Sequence, residues 1–385
     1  MSIPAEHSLP PALQPNRRSI LDRVRIWRHR VLADPAFHRL LKRLPLGQWY
    51  SNRRAADLFS MVSGFVQSQM LFAALETGLL HRLQKSPAQP SALSAELHIP
   101  PRQMRAFLQC LDCLGLTSRL SSGELVLNDF GAVIASDPGV QAMIRHHALF
   151  YRDLADPVQL LKSGARETAL NAFWSYLHAD GKAVDESQAE VYSRVMSDSQ
   201  HMLADDIARS FPFKRHHALL DIGGGAGVFI ETLAEHHPHL TFGLFDLPEV
   251  VRQADQRFAG SPVANRVRLH GGNFFEDPIP PDYDCISLIR VLFDHDDGAV
   301  MRILSNIRKT IRPGTRLLIG EPMAGRSREQ RISTAYFSIY LMTMGGGFCR
   351  TPHEIKQLLE SAGFSKFQEK QCRHPMLATL AIAGV

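Results

Sequence analysis

Glycine and acidic residues follow consecutive predicted strands at spacings that suit the binding of a nucleotide-like ligand. The stretch LLDIGGGAG ends one predicted strand and opens a predicted helix, with glycines at Gly223, Gly225 and Gly227. Glycines in such a turn let the backbone approach a ligand closely, and the helix N-terminus favours a polar or anionic group. Asp246 ends the next predicted strand, nineteen residues after Gly227. Its position fits an acid that holds both hydroxyls of a ribose.

The glycine spacing distinguishes between two cofactors. A dinucleotide fingerprint has the pattern G-x-G-x-x-G, whereas this chain has G-x-G-x-G, with Val228 at the third fingerprint position. The tighter spacing favours S-adenosylmethionine over NAD. Asn273 and Phe274, in GGNFF after the third predicted strand, would then lie beside the adenine. An NAD-dependent enzyme is the remote alternative. A second alternative is that the glycines bind no ligand and serve only the packing of the strand against the helix.

Six motifs together resemble the small-molecule O-methyltransferases of the plant caffeate and bacterial polyketide type. In chain order they are LLDIGGGAG, FDLPEVV, GGNFF, RVLFDHDD, GEPM and RTPHEIKQLLESAGF. The resemblance covers about residues 56–385 and implies S-adenosylmethionine as cofactor and a homodimer built through the N-terminal helical region. It also implies that Asp221, Leu247 and Arg290 belong to the cofactor-binding residues.

A closer resemblance is to the carotenoid O-methyltransferases of purple bacteria. It rests on the stretches WRHRVLADPAFHRLLKRLPL, LFSMVSGFVQSQMLFAALETGLL and EPMAG with AYFSIYLMTMGGG. Those enzymes methylate the C1 tertiary hydroxyl of acyclic carotenoids of the hydroxyneurosporene, rhodopin or demethylspheroidene type. The resemblance therefore implies an apolar small-molecule substrate from carotenoid biosynthesis. A polyketide phenol or a chlorophyll precursor, methylated on oxygen or carbon, is the alternative.

The chain departs from the resembled family at the expected catalytic centre. That family usually has Leu-His-Asp-Trp after the fourth strand, with the histidine as general base. Here Phe293 stands at the histidine position and His295 at the tryptophan position; Glu321 matches one flanking acid and Cys349 replaces the other. Either His295 removes the proton, or the reaction runs without a dedicated base because orientation against an activated sulfonium supplies the rate. His295 and Glu321 are thus the predicted catalytic residues.

Aromatic and methionine side chains are predicted to line an apolar substrate pocket, although dimer packing would use the same residue types. The predicted pocket residues are Trp174, Tyr176, Met196, Phe293, Tyr340 and Met344. No metal is expected, because the histidines lack ligand spacing beside suitable acids; His146 and His147 are interpreted as surface or helix-end residues. Cys110 and Cys113 form a lone C-x-x-C within an apolar helix, where packing is the expected role.

Four regions can be distinguished by the elements that they predict. Residues 1–55 form a basic arm, and 56–140 show the helix–helix–helix–hairpin order of a winged helix, with dimerisation as its implied role. Residues 141–215 are predicted to be a helical connector that lines the substrate pocket. From 216 to 385, short apolar runs alternate with amphipathic helices, which predicts an α/β fold with a doubly wound Rossmann-like sheet. The predicted strands are 219–222, 240–245, 267–269, 285–289 and 317–319, with a terminal strand at 377–382.

The net charge of +5 is concentrated in the arm. Between Arg17 and Arg54 there are 11 Lys/Arg and two acids, a net +9, which leaves −4 for the remainder. A DNA-binding winged-helix regulator is disfavoured, because the presumed recognition helix carries only Arg102 and Arg105 while phosphate contacts dominate DNA affinity. No nucleic-acid partner is expected. The arm is a solvated tail, a contact to the partner subunit, or a segment attracted to an anionic membrane.

Composition sets the expected compartment. Apolar residues make up 45% and charged residues 21% of the 385 residues, which excludes a disordered chain. Five unevenly spaced cysteines favour a reducing compartment, and the first residues show no apolar run of signal-peptide length. The most apolar stretch is interrupted by Ser60, Ser63, Gln67 and Gln69, which predicts that it does not span a membrane. A cytoplasmic enzyme is expected, with the arm as a candidate peripheral contact to the inner or photosynthetic membrane.

Overall fold

Three helices begin the described part of the chain, and the end of the third belongs to its first packed core. The computed structural model describes residues 19–41, 43–163, 168–175 and 200–385. The helices are α1 (Ile20–Ala33), α2 (Pro35–Leu41) and α3 (Pro45–Glu76). Ser19 begins α1 through a capping box with Asp22, and Pro45 begins α3 because proline suits the first helical position. The boundary predicted at residue 55 lies inside α3.

Three helices and an antiparallel hairpin then follow in the predicted order. They are α4 (Leu79–Lys85), α5 (Pro90–Glu96), α6 (Pro101–Cys113), β1 (Thr117–Arg119) and β2 (Leu125–Leu127). Fully buried leucines, among them Leu80, Leu93 and Leu111, join these elements into one hydrophobic cluster. The winged-helix assignment and its role in dimerisation stay predictions.

The predicted connector is largely helical where the structure describes it. α7 (Asp129–Ser136) still belongs to the preceding region. The helices of the connector are α8 (Pro138–Asp153), α9 (Pro157–Ser163), α10 (Ala169–Ser175) and α11, described over 200–210. The Asp153 carboxylate at the end of α8 accepts the backbone N–H groups of Ala169 and Leu170 at 2.7 and 2.9 Å. This contact caps α10 and fixes it against α8.

A seven-stranded sheet organises the C-terminal part of the described chain. Its strands are β3 (Ala218–Ile222), β4 (Thr241–Asp246), β5 (Val267–Gly271), β6 (Cys285–Ile289), β7 (Arg316–Glu321), β8 (Ser365–Gln371) and β9 (Thr379–Gly384). The spatial order is β5-β4-β3-β6-β7-β9-β8, and β9 is antiparallel to both of its neighbours. The connecting helices are α12 (Val228–His236), α13 (Pro248–Phe258), α14 (Asp297–Thr310), α15 (Arg328–Met344) and α16 (Pro352–Ser361).

Both faces of this sheet are buried, as a doubly wound fold requires. Successive strand residues point to opposite faces, so Leu219 and Leu318 lie in one hydrophobic cluster while Leu220 and Leu317 lie in the other. The α/β doubly wound prediction is therefore confirmed. β3 pairs with β4 on one side and β6 on the other, which places the turn after β3 at the point where the strand order reverses.

The edges of the sheet differ from the sequence prediction. β5 was predicted from a short apolar run, but its residues are half-buried or exposed because it is an edge strand. β8 was not predicted, since its sequence SKFQEKQ is polar and almost fully exposed at the opposite edge. Charged side chains on an edge strand discourage pairing with other chains, and such strands lack the apolar pattern that marks interior ones.

The first half of α3 exposes a run of large apolar side chains. The exposed residues are Leu58, Phe59, Met61, Val62, Phe65 and Val66. By length and composition, the part from Gly47 to Glu76 is apolar enough to cross a membrane, a criterion that the core helices of other proteins also meet. Only 11% of its most apolar window is buried in the structure, so this face is available to another surface.

Candidate active site

The glycine turn after β3 leaves open space beside its backbone. Gly223, Gly225 and Gly227 all have φ between 57° and 84°, a left-handed conformation that glycine adopts without steric cost. A Cβ atom at Gly225 would meet nothing within 4 Å, whereas one at Gly227 would lie 2.2 Å from Cζ of Phe258. Gly227 thus permits close packing of α12 on α13, and Gly225 keeps a surface on which a ligand fits.

Asp246 is oriented toward this turn by two backbone donors. Its Oδ2 accepts the N–H of Gly225 at 2.8 Å and its Oδ1 accepts the N–H of Leu247 at 2.7 Å. Burial raises the pKa of Asp246, and these two donors oppose that rise. A carboxylate can accept about four hydrogen bonds, so both oxygens retain capacity for the hydroxyls of a ribose. The residues present therefore fit the cofactor that the glycine spacing favours.

Asp221 lies beneath the turn rather than on its surface. Its side chain is buried, and its Oδ1 accepts a hydrogen bond from the Ser287 hydroxyl of β6 at 2.6 Å. Burial raises the pKa of Asp221 to about 7, and the Ser287 hydroxyl opposes this rise. A Cβ atom at Gly224 would lie 2.7 Å from Oδ2 of Asp221, so this carboxyl group supports the glycine turn from within the sheet.

The predicted adenine-side residues form an aromatic group with His295. The Phe274 ring lies 5.9 Å from the His295 ring, and the Phe275 ring lies 5.3 Å from it, both edge-to-face. Phe274 also approaches Gly223, so this group adjoins the glycine turn. The Asn273 side-chain oxygen accepts the N–H of Phe275 at 2.9 Å and stabilises the loop that carries both phenylalanines.

Arg350 fixes the turn that follows β6. Leu292–Asp294 forms a single 3-10 turn, and the buried Arg350 guanidinium donates to the carbonyls of Leu292 and His295 at 3.0 and 2.7 Å. Its Nε donates to Asp297 at 2.8 Å. Sequence reasoning missed this residue, although it directly precedes the capping box that begins α16. The signal that could have identified Arg350 is a basic residue directly before the N-cap of a predicted helix.

Two carboxyl groups, those of the half-buried Asp294 and the fully buried Glu321, lie at the ends of neighbouring elements. Glu321 ends β7, and its Oε2 accepts the N–H of Phe293 at 3.1 Å. Burial raises the pKa of Glu321 to about 7; burial and the Glu321 charge raise the pKa of Asp294 well above its usual range. The Arg290 guanidinium opposes the rise at Asp294. Sequence reasoning missed Asp294, which only its place in FDHDD could have indicated.

Arg290, predicted to contact the cofactor, also neighbours the tyrosines of α15. Burial lowers its pKa, whereas Asp294, Tyr340 and Tyr336 raise it in that order. Arg290 has a φ of 54°, so the chain enters the turn after β6 through a left-handed residue that few side chains favour. This conformation turns the backbone sharply at the carboxyl end of the central strand.

Aromatic side chains from α8 and α15 close the other side of the site. The Tyr340 hydroxyl lies 2.6 Å from His146 Nε2, and the Tyr336 hydroxyl lies 2.8 Å from His147 Nε2. The interpretation of both histidines as surface residues is therefore wrong: they are partly buried between helices. Burial lowers the pKa of His146 to about 4, and the neighbouring His147 contributes to this fall.

The predicted pocket residues fall into two groups. Phe293 is buried with its ring 5.9 Å from that of Phe337, and Met344 packs against the cluster that contains Tyr340. Tyr176, Met196 and the Trp174 side chain lie outside the described residues. Among the residues that the structure describes, no three His, Cys, Asp or Glu side chains are grouped as metal ligands would be.

Comparison with known proteins adds independent evidence. A family model described as an O-methyltransferase domain matches residues 151–365. Demethylspheroidene O-methyltransferase of Cereibacter sphaeroides is 36% identical over 97% of this chain and 98% of its own length, and that of Rhodobacter capsulatus is 38% identical over 91% and 87%. The structure of mitomycin 7-O-methyltransferase aligns with a TM-score of 0.71 and 25% identity over 87% of this chain and all of its own.

The fold, the glycine turn and the family match together assign the chain to the α/β class of S-adenosylmethionine-dependent methyltransferases. The human N-acetylserotonin methyltransferase structure, solved with S-adenosylmethionine, shares this fold at a TM-score of 0.70 over 86% of this chain and 97% of its own, with 23% identity. The chain belongs to the O-methyltransferase family, and S-adenosylmethionine is its methyl donor.

Replacing Arg350 with alanine should release the turn after β6. Two buried carbonyls lose a charged donor, so we expect the free energy of unfolding in urea to fall by about 2 to 4 kcal/mol. Arg326→Ala, at an exposed position, is the matched control and should change it by less than about 0.5 kcal/mol. Equal effects of the two substitutions would show that Arg350 does not hold the turn.

Proposed function

We propose that the enzyme methylates the C1 tertiary hydroxyl of an acyclic carotenoid of the hydroxyneurosporene, rhodopin or demethylspheroidene type. The observation that carries this proposal is the similarity, over nearly the whole chain, to two proteins named demethylspheroidene O-methyltransferase. Apolar and aromatic side chains around the turn after β6, such as Phe293 and Phe337, are suited to a hydrocarbon substrate. They also exclude water from the reacting hydroxyl.

The proposed cofactor site comprises the glycine turn and the loops beside it. When bound, S-adenosylmethionine supplies an electrophilic methyl group on a sulfonium. Asp246 would accept the ribose hydroxyls, and Phe274 would pack against the adenine. The remaining proposed contacts are Asp221, Gly223, Gly225, Gly227, Leu247, Asn273 and Arg290.

The proposed substrate side comprises Phe293, Tyr340 and Met344, with Trp174, Tyr176 and Met196 as further wall residues. Glu321 supports the backbone of Phe293 and belongs to the proposed catalytic centre. His295 is the candidate base inferred from the sequence, and its ring contacts Phe274 and Phe275. Orientation of the hydroxyl toward the sulfonium methyl contributes most of the rate in either case, since effective molarities reach roughly 10⁵ to 10⁸ M.

Labelled methyl transfer tests the substrate class. The protein is incubated with S-adenosylmethionine carrying a labelled methyl group and with an extract of carotenoids that contains acyclic tertiary alcohols. We expect one labelled product whose mass is that of a hydroxycarotenoid plus one methylene unit. A parallel incubation with polyketide phenols is the control. Label found only in the phenols would contradict the carotenoid assignment while leaving methyl transfer intact.

Replacing Asp246 with alanine should weaken cofactor binding. Both ribose contacts are lost, so we expect the dissociation constant of S-adenosylmethionine to rise by roughly one to several orders of magnitude. The measurement is titration calorimetry. Asp255→Ala, at an exposed position on α13, removes the same charge nearby and should leave the affinity within about twofold. An unchanged affinity in Asp246→Ala would disprove the assignment of the site.

The apolar face of α3 supports assembly into a homodimer. Phe59 and Phe65 are 71% and 70% exposed in the single chain, and contiguous exposed apolar patches mark interaction sites. A second copy of the chain would bury this face. Sedimentation equilibrium should give the mass of two chains, and a single-chain mass would contradict the dimer.

The basic arm supports a peripheral contact with anionic membranes. α1 exposes Arg23 and Arg28 together with Trp27, a combination suited to the lipid interface. Each basic residue near an anionic surface contributes about 1 kcal/mol, so Arg23→Glu/Arg28→Glu should weaken binding to phosphatidylserine vesicles at least about 20-fold. Arg268→Glu/Arg373→Glu, at exposed positions far along the chain, is the charge-matched control. Equal loss in both variants would argue against the arm.

A further inference from the structure

Asp294 and Glu321 form an acidic pair where the turn after β6 meets the end of β7. Glu321 is fully buried, while Asp294 keeps part of its surface accessible. Among the described residues, neither Asp294 Oδ1 nor Glu321 Oε1 has a hydrogen-bond partner, although both atoms are buried. A buried carboxyl oxygen without a partner costs free energy. Such an atom is accordingly a candidate for a contact made only when a ligand is bound.

The surrounding elements hold Asp294 in place. It ends the 3-10 turn that Arg350 clamps, and Glu321 accepts the N–H of the preceding residue, Phe293. The loop after α15 packs directly on this turn: a Cβ atom at Gly347 would lie 2.1 Å from the Phe293 carbonyl oxygen and 2.9 Å from Cα of Asp294. Both sides of the turn are therefore fixed, and the carboxyl of Asp294 has a defined position.

We propose that Asp294, held beside Glu321, accepts the proton of the substrate hydroxyl during methyl transfer. This inference rests on the methyl-transfer function proposed above. Glu321 is a positioning residue, because it is fully buried and acts through the turn and through its charge. The neighbouring Phe293 ring carries no titratable group and supplies an apolar wall.

The step balances in atoms and charge. The hydroxyl oxygen forms a bond to the methyl carbon as the bond between that carbon and the sulfonium sulfur breaks, and the sulfur keeps the electron pair. The hydroxyl proton passes to the Asp294 carboxylate, which becomes a neutral carboxylic acid. The products are the methyl ether and a neutral thioether, and the acid later releases its proton to water.

Several charged or titratable groups face the pair and set its titration. Arg290 at the end of β6 lowers the pKa of Asp294, whereas Glu321 at the end of β7 raises it. Arg350 lowers the pKa of Glu321. The remaining neighbours are Cys349 beside Glu321, Tyr336 and Tyr340 on α15 beside Arg290, and His146 and His147 on α8 bonded to those tyrosines.

Removing the Asp294 carboxylate should reduce chemistry and leave cofactor binding intact. Asp294→Asn is expected to lower kcat by about 10² to 10⁴-fold, with the calorimetric affinity for S-adenosylmethionine within about threefold. In the intact enzyme kcat should rise with pH as Asp294 loses its proton, and this rise should be absent in Asp294→Asn. Asp294→Glu should regain part of the rate and the pH dependence. Asp282→Asn, which changes an exposed carboxylate before the start of β6, is the matched control and should keep kcat unchanged.

Two results would overturn the role of Asp294. One is an Asp294→Asn enzyme that keeps kcat within about threefold of the intact enzyme, or changes only in KM, with the pH dependence intact. The other is a His295→Ala enzyme that loses the pH dependence while Asp294→Asn retains it, which would identify His295 as the acceptor.

Glu321→Gln is the second variant, to be measured if Asp294→Asn does not fold. The amide oxygen in this variant would still accept the Phe293 N–H, but the charge beside Asp294 is gone, so the rise of kcat should move to lower pH. An unmoved rise would count against the pair. A wild-type enzyme that methylates no apolar alcohol would instead reject the proposed function, which separates the two failures.

Discussion

The pairing of β3 with β4 on one side and β6 on the other is the constraint on which the site depends. Parallel strands end at one edge of a sheet, and the reversal of strand order opens a crevice there. The glycine turn leaves β3 into this crevice, Asp246 enters it from β4, and the turn after β6 forms its far wall. Residues that are far apart in the chain thereby meet at one edge of the sheet.

Desolvation and hydrogen bonding make the carboxyl groups at this edge of the sheet differ in how readily they lose a proton. Asp246 receives two backbone N–H groups, which stabilise its charge. Asp294 and Glu321 have fewer donors and lie side by side, so burial and like-charge repulsion favour retention of a proton. Asp246 is thus suited to accept hydroxyl donors from a cofactor, and Asp294, beside Glu321, is suited to exchange a proton. Packing and hydrogen bonding, rather than residue type, separate these roles.

Much of the fold could be predicted because the apolar residues of interior strands and amphipathic helices recur in a pattern that indicates which side chains are buried. β3, β4, β6 and β7 are mostly apolar and lie close to their predicted positions. β8 could not be predicted, because an exposed edge strand made of charged residues has no apolar repeat. The single helix α3 also escaped prediction, since Pro45 begins a helix as readily as it ends one.

The glycine turn with Asp246 and the preference for S-adenosylmethionine could be predicted because they depend on local spacing along consecutive elements. The class of the enzyme followed from the resemblance of six short motifs to a known family. Only the tertiary structure brought Arg350 onto the carbonyls of Leu292 and His295, and Asp294 beside Glu321. His146 and His147, which were expected at the surface or at a helix end, contact the tyrosines of α15 in the structure. Such contacts join residues that are distant in the sequence. Their chemistry depends on desolvation by tertiary packing, which a local sequence pattern does not show.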